Sequence, residues 1–254
     1  MSELSKLLRK ISRHEPAPLG FGRGPTKRAP TMLLAAIASE RWAQGVADAV
    51  AGGADFVLLA GRPNAKDLAE AVAGADGMPC GLLAGQSEAA DVSKLRDAGL
   101  DFVAVEPQAP AKTLANEELG LVLHLKDDLT DIQLRTIEPL PFDAIYFERD
   151  ASPLSIMHQM ELQRVSGLAR KPLLMVAHPD VEQDDLLCLR DAGAVLVALD
   201  LKERGAVEAL SRLRGLIDAL PPRRKPRRED RTQVTLPGAA HESESDDEDD
   251  FEDE

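Results

Sequence analysis

The sequence predicts an α/β protein, a parallel sheet closed into a (β/α)8 barrel, with an N-terminal amphipathic helix and a disordered C-terminal tail. Three observations predict it. Between residues 31 and 220, eight short apolar runs alternate with eight helical patterns, the order that a helix-covered parallel sheet requires. One stretch, KPLLMVAHPDVEQDDLLCLRDAGAVLVALD at Lys171–Asp200, is a complete strand–helix–strand unit. Part of that unit also occurs twice. Leu95–Glu106 reads LRDAGLDFVAVE and Leu189–Asp200 reads LRDAGAVLVALD, an offset of 94 residues. Both copies end in an acid, and half a barrel would separate them.

The unit at Lys171–Asp200 shows how each element is recognised. Pro172 suits a strand edge, and the apolar run Leu173–His178 is too short for a buried helix. Asp180 with Gln183 is expected to cap the helix that follows, and Gly193 supplies the left-handed residue that ends it. Two strands joined by a helix are parallel and need a right-handed crossover.

Along the chain, Ser2–Arg13 forms a helix with Leu4, Leu7, Leu8 and Ile11 on one face and Lys6, Arg9, Lys10 and Arg13 on the other. Docking on the barrel and lying on a membrane surface are the two uses of such a face. Residues 15–30, EPAPLGFGRGPTKRAP, read as a linker; no strand precedes their glycines, so a dinucleotide fingerprint lacks its context. These first thirty residues form one segment and 31–220 the barrel.

The strands are expected at Thr31–Ala38, Asp55–Ala60, Cys80–Ala84, Asp101–Glu106, Gly120–Leu125, Ala144–Glu148, Leu173–His178 and Ala194–Leu199. Between them fall helices at about Glu40–Ala51, Ala65–Ala75, Glu88–Ala98, a short piece near Ala111–Glu117, Asp131–Ile137, Pro153–Ala169, Val181–Ala192 and Lys202–Leu220. Ser39, and Ser152 before Pro153, are the expected caps of two of them. The weak fourth helix leaves an open doubly wound sheet as the competing architecture.

Residues 221–254 are a basic then acidic tail. The last thirteen residues hold ten acids and no base, so the rest of the chain carries only −4 of the net −14. The tail cannot bury enough apolar surface to fold. A solvated, solubilising tail is the expected role, with a basic protein partner as the alternative; its acidic end argues against direct nucleic-acid binding. Aromatic content of 3% means that the core must be built of Ala, Val and Leu. Cys80 and Cys188 belong to no metal or redox spacing, which suits a reducing, cytoplasmic setting. No stretch has the length of a transmembrane segment and no secretory signal is recognised. Homo-oligomers remain open.

Eight alternating units with short connections resemble the TIM-barrel superfamily over residues 31–220, by pattern rather than by the motif of any one family. The resemblance implies a site at the C-terminal mouth of the strands. Alternation of side chains sends one face of each strand inward: Phe102, Ala104 and Glu106; Val122, His124 and Lys126; Ala144, Tyr146 and Glu148; Leu174, Val176 and His178; Ala194, Leu196, Ala198 and Asp200. Five consecutive strands thus end in inward polar residues, and Arg62 has the same parity.

Carboxylates beside imidazoles and a lysine are the ingredients of proton transfer, Schiff-base chemistry or divalent-metal binding. The expected enzyme is a lyase, aldolase or isomerase acting on a small carbonyl or carboxylate ligand. Lys126 would be the Schiff-base or cationic group, Glu148 and His178, with His124, the acid and base groups, and Glu106 and Asp200 metal-binding or orienting carboxylates. A non-catalytic scaffold is the alternative, and a flavin-binding barrel, closed by the Pro18–Pro30 loop, is a third. The turns after the last two strands, HPDVEQ and LDLKERG, carry acids and would repel a substrate phosphate. Gly85, Gln86 and Ser87 offer a weak alternative anion site.

Overall fold

The computed structural model describes residues 2–12, 30–84, 92–126, 128–149, 154–178, 180–202 and 205–222. Eight parallel strands close on themselves in sequence order: β1 Leu33–Ala38, β2 Phe56–Leu59, β3 Cys80–Ala84, β4 Phe102–Val105, β5 Gly120–Leu125, β6 Ala144–Phe147, β7 Leu173–Val176 and β8 Leu196–Asp200. Closure, with β1 pairing both β2 and β8, excludes the open doubly wound sheet. The chain is a TIM-type barrel.

Helices alternate with the strands: α1 Glu3–Ser12, α2 Trp42–Ala51, α3 Ala65–Ala73, α4 Val92–Asp97, α5 Asp131–Ile137, α6 Ile156–Ala169, α7 Gln183–Asp191 and α8 Ala206–Asp218. Between β4 and β5 the connection is a single 3-10 turn, Ala111–Ala115. The weak helical pattern there reflects this, since Pro110 leads in and Asn116 leaves in extended backbone.

Both faces of each strand are covered, so the strands read as continuous apolar runs rather than alternating ones. The branched outer face packs against the helices, in a cluster that includes Val57, Val103, Leu121, Ile145 and Val197. The inner cluster holds Phe56, Phe102, Val122, Ala144, Tyr146 and Leu174. Gly81 makes room within it. A Cβ there would stand 2.1 Å from the Phe102 ring, which lies edge-on to Phe56 at 5.7 Å between centroids.

Helix α1 closes the N-terminal end of the barrel. Leu4 and Leu8 are buried in the inner cluster, with Leu7 and Ile11 packed against it. The helix's first amides are held from outside: Glu3 N–H and Leu4 N–H donate to the Asp101 carboxylate at 2.6 and 2.9 Å. The Ser5 hydroxyl donates to Asp143 at 2.8 Å. Asp101 precedes β4 and Asp143 precedes β6, which fixes α1 under the strand starts. Its apolar face is thereby used inside the protein, and the membrane-surface alternative has no face left. No helix among the described residues is long and apolar enough to cross a membrane.

Several local expectations are corrected. The residue before α2 is Arg41, at φ 46°, without a side-chain cap; Ser39 Oγ is buried and finds no partner among the described residues. Helix α6 is capped by Ser155 in a reciprocal box with His158, not by Ser152 before Pro153, which lie outside the described residues. Glu182 and Asp185 box the start of α7, whereas Asp180 and Gln183 were expected to do so. Just before β8 the expected parity is reversed: Val195 belongs to the inner cluster and Ala194 to the outer one. Gly99 and Gly193 both take left-handed backbone, at φ 86° and 101°, so the two LRDAG copies end their helices alike. The Gly/Pro linker up to residue 29, the Gly85-Gln86-Ser87 anion site and the charged tail from residue 223 lie outside the described residues.

Candidate active site at the barrel mouth

Strand parity carries six polar side chains from five strands toward the C-terminal mouth, and the structure sets all but His178 in pairs. His124, from β5, is buried at 1% side-chain exposure, and its Nε2 lies 2.6 Å from Glu148 Oε2 at the end of β6. Glu148 is 45% exposed, so the pair spans from barrel interior to solvent. The register sets this up, because His124 stands opposite Tyr146. Their rings stack at 4.7 Å and 8°.

Burial holds the His124 imidazole below its ordinary pKa, against the opposing pull of Glu148. Burial thus favours the neutral imidazole, which donates from Nε2 to the carboxylate. Its Nδ1 is buried without a hydrogen-bond partner among the described residues. An orphaned buried nitrogen costs about 1–3 kcal/mol.

One turn of the alternation farther up β5, Lys126 Nζ donates to Glu106 Oε1 at 2.7 Å. That hydrogen bond pulls the Glu106 carboxyl below its usual range. Across the barrel, Lys202 Nζ lies 2.9 Å from Asp200 Oδ2, and the same contact raises the Lys202 ammonium. Strands β4 and β8 stand on opposite sides of the cylinder, so Glu106 and Asp200 are not neighbours. Each is occupied by its own lysine. Among the described residues no three His, Cys, Asp or Glu side chains group to hold a metal ion.

His178 belongs to none of these three pairs. Its Nδ1 accepts the Asp180 amide at 3.1 Å, and its side chain is 43% exposed. Arg62 is exposed after β2.

Two residues enter the site that the strand-end reading passed over. Tyr146 is the chain's one tyrosine and lies in the inner cluster. Burial first, then the charges of Glu148 and Asp200, push its phenol up. It therefore stays protonated, with those two carboxylates near enough to act on it. Its inward parity was the available signal. Arg149 is the second. Its guanidinium lies 4.1 Å over the Phe147 ring and donates to the carbonyls of Lys126 and Glu148. It also pairs with Glu161 at 2.9 Å and with Asp128. One side chain thus ties the ends of β5 and β6 to α6, which fixes the backbone that aims Glu148. An arginine after a strand end carries no sequence signal for this.

No protein-family model matches the sequence, and no curated protein matches it. Solved structures do match. The α-subunit of tryptophan synthase from the hyperthermophile Pyrococcus furiosus, as a point mutant, superposes with a TM-score of 0.58 at 12% identity, over 74% of this chain and 98% of that one. The same organism's tryptophan synthase α2β2 complex gives 0.57 at 13% identity, over 75% and 98%. A further structure of that complex gives 0.57 at 14%, over 75% and 98%. At such identities the likeness is one of fold.

Proposed function

We propose that the protein is an enzyme of lyase, aldolase or isomerase type, moving a proton on a small carbonyl or carboxylate compound at the C-terminal mouth of the barrel. The observation that carries this reading is the buried His124 hydrogen-bonded at 2.6 Å to a half-exposed Glu148. Glu148 is the group that reaches the substrate and acts as general base, returning the proton as acid. His124 holds it in place and shares its proton. Tyr146, kept protonated beneath them, is a neutral hydrogen-bond donor toward developing negative charge. The fold likeness to tryptophan synthase α-subunits supports a TIM-barrel enzyme in general and does not choose a reaction.

For Lys126 the geometry favours the cationic role over the Schiff-base role. A Schiff-base nucleophile needs a neutral amine, whereas Glu106 at 2.7 Å holds the ammonium form. Lys126 would bind the substrate carboxylate or carbonyl oxygen. Glu106 and Asp200 then serve as orienting carboxylates for Lys126 and Lys202. His178, turned to the Asp180 amide, stands outside this proton path.

The test is exchange of solvent deuterium into the carbon next to the carbonyl, followed by NMR across a panel of small 2-oxo acids, aldehydes and ketones. The protein should catalyse exchange on at least one of them, and Glu148→Gln should lower that rate by about 10²–10⁴. Exchange untouched by Glu148→Gln, or none across the panel, rejects the reading.

A further inference from the structure

Among the described residues the β6–β7 ladder is the shortest in the barrel. Between β5 and β6 the register runs on to Leu125 opposite Phe147. Between β6 and β7 it stops after Ile145–Leu173 and Tyr146–Leu174. Beyond that point β7 continues to pair on its other side, where Ala177 N–H donates to the Ala198 carbonyl at 2.8 Å. Beside this end of the ladder a cavity of about 230 Å³ lies between Phe147, residues 175–178 and the helices α6 and α7. Its walls are mainly apolar: Phe147, Met175 and Ala177 from the strands, Leu162, Val181 and Leu189 from the helix side. Apolar cavities of roughly 150 Å³ already take up a benzene ring. This one is larger and has a polar edge.

The chemistry of that edge is constrained. Arg149 and Glu161 both border the cavity, but they are paired with each other at 2.9 Å, so neither offers a free charge. The remaining acids at the edge, Asp180 and Asp185, oppose an anion. Two imidazoles also line the space, His158 and His178. Each accepts a backbone amide on Nδ1, from Ser155 at 3.4 Å and from Asp180 at 3.1 Å. Neutral imidazole has one donor and one acceptor nitrogen. With Nδ1 accepting, the proton of each neutral imidazole sits on Nε2, which leaves each histidine one donor nitrogen.

We infer that the cavity beside the β6–β7 ladder is a binding site for a small, uncharged, mostly apolar molecule bearing one hydrogen-bond acceptor such as a carbonyl oxygen. The ring or chain fills the space between the strand ends and α6 and α7, and the acceptor meets the imidazole Nε2–H groups. Binding here does not require the proton-transfer reaction to exist, since neither Glu148 nor His124 lines the cavity.

Three probes of similar size, about nine non-hydrogen atoms each, separate the elements of the proposal: acetophenone (neutral, with an acceptor), ethylbenzene (neutral, without one) and benzoate (an anion). Binding is followed by methyl and imidazole chemical shifts in the intact protein. Acetophenone should shift the Met175 methyl and the His158 and His178 ring signals, and bind at least fivefold tighter than either other probe. Val181→Phe, which fills the space, should weaken it at least tenfold. His158→Leu combined with His178→Leu should reduce acetophenone to the level of ethylbenzene and leave ethylbenzene within twofold. If Val181→Phe melts far below the parent, the double histidine variant decides alone. Benzoate binding as tightly as acetophenone overturns the proposal. So does a folded Val181→Phe with undiminished affinity. Shifts confined to other residues, or no binding at millimolar probe, make the cavity an unfilled packing defect.

Discussion

His124 is where sequence and chemistry meet most closely in this barrel. Its place on the inner face followed from counting by twos along an apolar run, because a parallel strand must turn alternate residues to the lumen. Its partner did not follow: which strand ends touch depends on register and shear, which the alternation does not encode. So Glu106, Glu148, His178 and Asp200 were legible as a ring of polar tips, and their division into separate pairs was not. The burial of His124 has a measurable effect. Its native pKa lies below the ordinary value, near which the unfolded chain takes up the proton, about 6.5. The contribution is therefore fully present above that pH and lost as pH falls toward the depressed native value. Stability from urea unfolding should drop between pH 7.5 and pH 5, and His124→Gln should flatten the drop. An unchanged pH slope in the variant would refute this.

At the scale of elements, helix α1 and strand β3 make the sharpest claims. The amphipathic pattern of residues 2–13 announced a docked helix, but its seat was invisible because Asp101 and Asp143 lie about a hundred residues or more away in the chain. Leu4 is fully buried in that seat, so Leu4→Ala should cost about 2–5 kcal/mol in chemical unfolding. Asp101→Ala, which frees two helix amides, should cost about 1–2 kcal/mol. An unchanged midpoint in both variants would mean that α1 does not seat as described. In β3, Gly81→Ala forces the Phe102 ring to move and should destabilise by about 1–3 kcal/mol, read as a lower melting temperature with the fold retained. Caps were the least legible detail. Short polar residues cluster at every strand-to-helix turn, and several compete for the same amides. In α7 the competition went to Glu182 and Asp185 rather than Asp180 and Gln183.

For the whole molecule, the cylinder was readable because burial on both faces leaves no polar alternation in its strands, and eight such runs at even spacing have few ways to pack. The 94-residue repeat lands on β4 and β8, which face each other across the axis. Each carries a carboxylate, Glu106 or Asp200, held by a lysine. The early end of the β6–β7 register had no such signal: LLMVAH reads as a strand to its last residue, whereas its ladder to β6 ends at Leu174.

The seating of α1 also constrains the order of assembly. Its leucines close a lumen whose lining extends to Ala198, and Ser5 reaches Asp143. The segment nearest the start of the chain is thus completed by some of the last residues to join the cylinder. Any fragment that stops short of β6 leaves α1 as a loose greasy ribbon with nowhere to go. The docking of Leu4 and Leu8 should then be the closing step of folding, like a cork driven home once the staves are bound.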